Sequence, residues 1–195
     1  YHTAIGACGS GKQPALARGL LAEMRRRRGE PDTAACNTAL AACDGSRRWA
    51  DAAGLLLELH SWGLEADAFT CSTAVSACEK AERWEPALVL FTDLRLRSPA
   101  LVNLVAFGAA VAACEIGERW VLALGLLEEI RVRHLVPNLV VCNSALGACA
   151  KAARKAEVEA LLAEMRAQGI LPDVISYNSA IGACGPRSAL RLLAG

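Results

Sequence analysis

The sequence predicts an all-α fold of stacked helix–turn–helix repeats, and three observations carry that prediction. Six of the nine cysteines recur at steps of 35, 35, 36, 35 and 35 residues, and such self-similarity at a fixed period is typical of a repeat protein. They are Cys8, Cys43, Cys78, Cys114, Cys149 and Cys184. Three of them are followed six residues later by a tryptophan, at Trp49, Trp84 and Trp120. Alanine is abundant and aromatic residues make up only 5% of the chain, which suits closely packed helices better than sheets.

Each repeat is predicted to contain two helices. The first runs for about a dozen residues to its cysteine, and in three repeats a second cysteine lies two helical turns earlier, at Cys36, Cys71 and Cys142. The second helix opens near the tryptophan and carries leucine at helical spacing. Gly, Pro and Asp or Asn then close the repeat, as in residues 169–173. The resulting single array, 1–195, comprises a partial repeat 1–32, full repeats 33–67, 68–103, 104–138 and 139–173, and a partial repeat 174–195.

The tryptophan and cysteine positions are interpreted as packing positions. Cys78 is expected to end the first helix of its repeat and Trp84 to begin the second, so that both fill the seam between stacked hairpins. Two other repeats carry Pro14 and Lys155 where the tryptophan would fall, which argues against a chemical requirement for the indole. A hairpin of this size cannot bury its apolar face alone, and stacking produces a continuous core.

The cysteine spacing does not favour a metal or a disulfide framework. Structural zinc sites usually need cysteine pairs two to four residues apart, and the sequence contains none. A free cysteine behaves as a small buried hydrophobe. We therefore expect core thiols, no metal and no cofactor.

Composition and charge narrow the function classes. The chain is 54% hydrophobic and 21% charged, with a formal net charge of +1, so no strong basic attraction to nucleic acid is expected. No run of 18 apolar residues predicts a membrane span, and no signal or transit peptide is visible. The sequence has no Gly-rich phosphate loop, no zinc-deaminase signature and no paired carboxylates around a predicted cleft, so we do not expect an enzyme.

The 35-residue period, the opening "YNSAIGAC" and the ending "LLAEMRAQGILPD" resemble the pentatricopeptide repeat family over essentially the whole chain. Tetratricopeptide repeats run 34 residues and place their tryptophan in the first helix, a pattern that this sequence does not show. The resemblance implies a right-handed α-solenoid that binds single-stranded RNA at one base per repeat.

The resemblance also implies which side chains select a base. One selector lies early in the first helix, and the other is the last residue of the same repeat. The pairs are His2 with Asp32, Asn37 with Asp67, Ser72 with Asn103, Gly108 with Asn138, and Asn143 with Asp173; Asn178 is the helix selector of the last partial repeat. The family's usual pairing implies uracil for Asn/Asp and adenine for Ser/Asn, with a weak adenine preference for Gly/Asn and no assignment for His/Asp. The expected RNA, read 5′ to 3′, is an unassigned base followed by U, A, A, U.

The family further places an apolar residue three positions before each helix selector, where it would sandwich the base. These residues are Ala34, Phe69, Val105, Val140 and Ile175. Lys80 and Lys151 match a phosphate-contacting lysine near the end of the first helix. Nearby Asp44, Glu79 and Glu115 would repel phosphate, so binding by these repeats alone is expected to be weak. The basic run 25–28 lies at the end of a second helix, where a solvated face is the more usual interpretation.

Alternatives remain open at this point. The terminal Asp and Asn of each repeat lie where a helix N-cap is wanted, and capping alone would explain them. Each first helix also carries a stripe of small and polar residues. This stripe is interpreted either as a surface that a flat ligand could approach or as a solvated helix face. The stripe comprises Asn37, Ala41, Asp44; Ser72, Ser76, Glu79; Gly108, Ala112, Glu115; Asn143, Gly147, Ala150; and Asn178, Gly182, Gly185.

Two functions therefore compete. The first is a sequence-selective RNA adaptor in organellar RNA processing, editing, stability or translation, in a plastid or mitochondrion, acting on an organellar transcript beside other RNA-processing proteins. The second is a helical scaffold that binds a peptide in its concave groove.

Overall fold

The computed structural model describes residues 1–184; residues 185–195, which include Gly185 and the end of the last partial repeat, lie outside the described part. Residues 1–184 form eleven α-helices and one 3₁₀ helix, with no strand among them. The α-helices are α1 (His2–Ser10), α2 (Pro14–Arg26), α3 (Thr33–Gly45), α4 (Trp49–Ser61), α5 (Ala68–Lys80), α6 (Trp84–Arg97), α7 (Leu104–Ile116), α8 (Trp120–Val132), α9 (Leu139–Lys151), α10 (Lys155–Ala167) and α11 (Val174–Cys184). This arrangement confirms the predicted all-α fold of paired helices.

An Asp or Asn side chain caps each first helix from α3 onward. The side-chain oxygen accepts a hydrogen bond from the backbone N–H three residues later, as between the Ala35 N–H and Asp32 at 2.8 Å. The same bond joins Thr70 to Asp67, Ala106 to Asn103, Val141 to Asn138, and Ser176 to Asp173. The predicted capping role is therefore real, and it fixes where each first helix begins.

The turn between the two helices explains the six-residue step from cysteine to tryptophan. Each of the first helices from α1 to α9 continues two residues beyond its cysteine, rather than ending at it, and then a residue with φ between 50° and 58° reverses the chain. The next N–H bonds back to the cysteine carbonyl, as from Arg83 to Cys78 at 3.0 Å and from Arg154 to Cys149 at 2.9 Å. This 6→1 bond fixes the loop length, so the following residue begins the second helix.

One repeat has an extra residue for a visible reason. Helix α6 has 14 residues where its counterparts have 13, and a 3₁₀ helix, Pro99–Leu101, follows it. The other repeats end their second helix near a residue with positive φ, such as Gly63 or Gly169. At the corresponding place Ser98 has a φ of −141°, and the chain takes a longer path to the next capping residue. This insertion produces the single 36-residue step.

The chain divides into two compact units, residues 1–109 and 110–195, and the division falls within α7. In the first unit, α3 packs against α1 and α5 on either side and against the second helices α2 and α4. In the second unit, α9 packs against α8, α10 and α11. First helices thus stack on first helices, and second helices cover them.

Cysteine, alanine and leucine fill the core. The free, buried thiols are Cys8, Cys36, Cys43, Cys71, Cys78, Cys114, Cys142 and Cys149. Burial raises the pKa of the Cys78 thiol to about 11 and that of Cys114 to about 12. These two thiols therefore remain protonated packing groups at neutral pH.

The tryptophans that begin second helices lie at the seam between neighbouring repeats and are partly buried. Trp49 and Trp120 are each covered by an arginine that lies just before the second helix of the next repeat. The Arg83 guanidinium lies 5.2 Å from the Trp49 ring centroid, and that of Arg154 lies 4.3 Å from the Trp120 ring centroid. These cation–π contacts support the interpretation of the tryptophans as packing residues. Among the described helices, none combines the length and the apolar character needed to cross a membrane.

Candidate nucleic-acid interface

Two of the predicted selector pairs are joined by a direct hydrogen bond. Asn37 Nδ2 donates to Asp67 Oδ2 at 3.1 Å, and Asn143 Nδ2 donates to Asp173 Oδ1 at 3.0 Å. The members of each pair are 30 residues apart in sequence. They meet because the last residue of a repeat, which caps the first helix of the next repeat, lies beside the first helix of its own repeat.

A hydroxyl that sequence reasoning missed completes each of these pairs. Thr70 Oγ1 donates to Asn37 Oδ1 at 2.6 Å, and Ser176 Oγ donates to Asn143 Oδ1 at 2.5 Å. Both hydroxyl residues are fully buried and are the third residue of their helix. A Ser or Thr three residues after a capping Asp is a capping-type signal, and it could have pointed to these positions.

The other selectors are placed differently. His2 Nδ1 lies 3.8 Å from Asp32 Oδ1, and both side chains are more than half exposed. The Ser72 hydroxyl donates to the Ala68 carbonyl oxygen at 2.8 Å, so it faces its own helix. Asn178 is exposed on α11. Gly108 has no side chain to contribute.

The predicted base-packing residues are apolar and exposed to solvent. Phe69, Val105, Val140 and Ile175 are each more than half exposed, between 53% and 69%. Ala34 is also exposed but small. Each is the second residue of its helix, next to a buried third residue. Exposed apolar side chains at a regular repeat position provide faces on which a flat ring could stack.

One open groove in the first unit brings several of these roles together. Its volume is about 420 Å³. The packing residues Phe69 and Val105, the selectors Ser72 and Asn103, and the lysine Lys80 all line it. Ala41, Asp44, Thr73 and Ser76 complete the lining. The small residues at positions 41, 72 and 76 leave the floor of this groove accessible.

Both candidate phosphate-contacting lysines are paired with an acid from the preceding first helix. Lys80 Nζ lies 2.5 Å from Asp44 Oδ2, and Lys151 Nζ lies 3.5 Å from Glu115 Oε1. The other oxygen of Asp44 is buried and has no hydrogen-bond partner. The acids expected to repel phosphate therefore neutralise the lysines directly.

Glu115 also occupies part of the small-residue stripe. A Cβ added at Gly147 would overlap Glu115 Oε1, so any other residue there would require the Glu115 carboxylate to shift. The glycine in this stripe accommodates a side chain of the protein itself.

The basic run 25–28 is largely engaged within its own neighbourhood. Arg26 and Arg27 form ion pairs with Glu23, and the Arg25 guanidinium stacks over the Trp62 ring at 5.2 Å. These contacts favour a solvated, structural role for the run.

Hydrogen bonding holds both selector aspartates in their ionised form. The backbone N–H of Ser176 is the main cause that lowers the pKa of Asp173 below its ordinary value, with help from the side chains of Asn143 and Ser176. Partial burial would raise the pKa of Asp67, but hydrogen bonds from Thr70 and Asn37 outweigh it and lower that pKa. Each carboxylate thus remains an acceptor for the asparagine beside it.

The sequence profile of the pentatricopeptide repeat domain matches residues 125–187. The fold is similar to the crystal structure of the pentatricopeptide repeat protein PPR10 from maize, with 29% identity and a TM-score of 0.72; the match covers 100% of this chain and 28% of that one. The chain therefore spans less than a third of that protein. No curated protein sequence matches it.

Two more distant structures share the fold. One is PPR10 in complex with an 18-nt psaJ RNA element, at 24% identity and a TM-score of 0.76, covering 97% of this chain and 28% of that chain. The other is the pentatricopeptide domain of the Arabidopsis thaliana protein-only RNase P 1 in complex with tRNA, at 13% identity and a TM-score of 0.73. This match covers 89% of this chain and 91% of that one. The sequence profile therefore identifies a pentatricopeptide repeat domain at residues 125–187, and the structural similarity shows that the described chain has the fold of pentatricopeptide repeat proteins.

Proposed function

We propose that this chain binds single-stranded RNA through the first helices of its repeats, one base per repeat. The groove beside Ser72 is the observation that supports this most directly. It places two exposed apolar side chains, Phe69 and Val105, around a polar pair, Ser72 and Asn103, with Lys80 close by. A base stacked between the apolar residues would present its polar edge to the pair.

The two hydrogen-bonded selector pairs support two uracil positions in the proposed target. Asn37 with Asp67, and Asn143 with Asp173, present an amide beside an ionised carboxylate, the pairing that favours uracil in the family. Ser72 with Asn103 is assigned adenine, and Gly108 with Asn138 is assigned a weak adenine. The proposed target is U-A-A-U, read 5′ to 3′ along the chain.

The mechanism that we propose is occupancy of an RNA segment. PPR10 and protein-only RNase P 1 have both been observed bound to RNA. This chain would hold one segment of an organellar transcript and so block or recruit other factors during processing, editing, stabilisation or translation. A plastid or a mitochondrion is the proposed location. Because acids pair with both lysines, affinity is expected to be modest and to rise as salt is lowered.

Fluorescence anisotropy with short RNAs tests the proposal. The chain should prefer a single strand containing U-A-A-U over a scrambled strand and over a duplex. The double variant Asn143→Ser with Asp173→Asn should shift preference at the last base from U to A, and the asparagine introduced by the second substitution would still cap α11. Asp93→Asn changes charge by the same amount on a second helix and serves as the matched control.

A peptide-binding scaffold is the second candidate, and the acid–lysine pairs favour it. They leave the same face close to neutral, which suits a peptide better than a phosphate backbone. Failure of any single strand to bind at low salt would contradict RNA binding by these repeats. An RNA affinity that does not change with salt concentration would show that phosphate contacts do not contribute, and it would favour the scaffold instead.

A further inference from the structure

We propose that the hydroxyls of Thr70 and Ser176 are positioning groups that fix the amides of Asn37 and Asn143 in the orientation that reads uracil rather than cytosine. The inference rests on the RNA-binding function proposed above and deepens it. It adds one residue from the following repeat to each of two selector pairs.

Within residues 1–184, both compact units contain the same three-residue arrangement. In the first, Asn37 accepts from Thr70 Oγ1 at 2.6 Å and donates to Asp67 at 3.1 Å. In the second, Asn143 accepts from Ser176 Oγ at 2.5 Å and donates to Asp173 at 3.0 Å. Two independent copies with matching partners indicate a built feature rather than a chance contact.

Each hydroxyl is itself held in place. It accepts a hydrogen bond from the backbone N–H of the capping aspartate, at 3.2 Å from Asp67 and 3.1 Å from Asp173. That bond uses one lone pair of the hydroxyl, and the single proton is shared between the capping carboxylate and the asparagine oxygen. The asparagine oxygen is the nearer acceptor, at 2.6 Å against 2.7 Å for Thr70 and at 2.5 Å against 3.0 Å for Ser176. Burial of Thr70 and Ser176 leaves these hydroxyls little other choice of partner.

The consequence is a fixed amide orientation. If the Asn37 amide turned over, its oxygen would face the Asp67 carboxylate, and two acceptors would oppose each other. The hydroxyl and the carboxylate together therefore keep the oxygen toward Thr70 and the NH₂ group toward Asp67. One N–H of that group is left to donate to a ligand. At position 4 of the ring uracil carries a carbonyl acceptor where cytosine carries an amino donor, so an N–H that donates to this position favours uracil over cytosine.

The distribution of hydroxyls along the chain follows the distribution of amides. Where the helix selector is Asn37 or Asn143, the third residue of the next first helix is Thr70 or Ser176. Where the selector has no amide, the third residue has no hydroxyl. These other combinations are His2 with Ala35, Ser72 with Ala106, and Gly108 with Val141. The hydroxyl is present where an amide has to be oriented and absent where none exists.

The test measures the preference for U over C separately at the first and last positions of the target. The probes are U-A-A-U, C-A-A-U and U-A-A-C, each titrated with the full chain. Thr70→Val keeps the shape and removes the hydroxyl, and it should reduce the preference about three- to tenfold at the first position only, the effect of one lost neutral hydrogen bond. Ser176→Ala should do the same at the last position only.

Two controls separate positioning from folding. Thr70→Ser keeps the hydroxyl and should keep the preference. Thr38→Val removes a hydroxyl next to Asn37 that bonds the Ala34 carbonyl oxygen within its own helix, and it should change neither position. If Thr70→Val impairs folding, as shown by its thermal unfolding, Ser176→Ala decides the matter with the first position as its internal reference.

The outcomes are distinguishable. An unchanged preference in a variant that still binds, or an equal loss at both positions, would overturn this inference and leave RNA binding intact. If the parent chain binds no single strand, the proposed function fails and this inference fails with it.

Discussion

Asp67 shows how a single carboxylate can cap a helix and also hold a side chain of the preceding first helix. Its oxygens cap α5 through the Thr70 N–H at 2.7 Å and accept from Asn37 at 3.1 Å. The capping bonds are therefore compatible with the base-selecting role proposed for Asp67. The alternative of capping alone explains the aspartate, but it does not explain the asparagine that the aspartate holds.

Low pH should destabilise the fold because it protonates Asp67. The pKa of Asp67 is lowered from its ordinary value of 3.8, so its ionised form stabilises the protein above about pH 4, and that contribution is lost as pH falls through the lower, folded-state pKa. Asp67→Asn keeps a capping oxygen but removes the titration. Thermal midpoints measured by circular dichroism between about pH 5 and about pH 2 should fall less steeply for the variant than for the parent. Parallel curves would show that Asp67 does not contribute.

Asp44 limits how far Lys80 can serve as a phosphate contact. Asp44→Asn removes the ion pair without changing side-chain shape, so RNA affinity should rise, and the log–log dependence of affinity on salt should steepen by about 0.7, the value for one additional phosphate contact on a single strand. Anisotropy titrations at several salt concentrations measure both quantities.

The control for this experiment is Asp93→Asn. Asp93 pairs with Arg97 on the exposed side of a second helix and carries the same charge. Equal effects of the two variants would mean that net charge, and not release of Lys80, determines the affinity.

At the scale of the element, the turns inside each repeat are locally strained. Lys12, Arg47, Glu82, Glu118 and Ala153 all adopt positive φ. For non-glycine residues this conformation costs about 1–2 kcal/mol. The fold tolerates it because the 6→1 bond to the cysteine carbonyl and the start of the next helix require it there.

Relieving this strain should stabilise the chain. Ala153 has a φ of 53°, so Ala153→Gly should raise the free energy of unfolding by about 0.5–1 kcal/mol, the relief of strain less the greater entropy of unfolded glycine. Urea denaturation measures the change. Ala163→Gly, at an exposed position inside α10, should instead cost about 1 kcal/mol. Destabilisation by both substitutions would mean that position 153 is not strained.

At the scale of the whole molecule, stability is built from contacts between neighbouring helices. Helix α3 packs against α1, α2, α4 and α5, all of which belong to its own repeat or an adjacent one. In such an array a local defect is expected to weaken mainly its neighbours.

A core truncation tests this. Leu40 is fully buried in α3, and Leu40→Ala should cost about 2–5 kcal/mol. Amide hydrogen exchange should show protection lost chiefly in α1 to α5. Leu57, in the neighbouring α4, is 73% exposed, and Leu57→Ala provides the matched control with little expected change. Uniform loss of protection over residues 1–184 would contradict a nearest-neighbour array.

The sequence by itself determined the repeat period, the paired helices, the capping residues and the tryptophan seam. These features depend on interactions within a few residues, or on a pattern repeated about every 35 residues, so the amino-acid sequence is enough to predict them. It also placed the selectors in pairs, through the family resemblance.

Only the tertiary structure decided which side chains of neighbouring repeats meet. Thr70 reaches Asn37 across 33 residues, and Asp44 reaches Lys80 across 36. Such contacts depend on the exact stacking of one hairpin on the next, which shifts side-chain atoms by ångströms, while the helical pattern that predicts the fold is insensitive to shifts of that size. The stacking of neighbouring repeats therefore determines how the asparagine amides are oriented and which acids pair with the lysines.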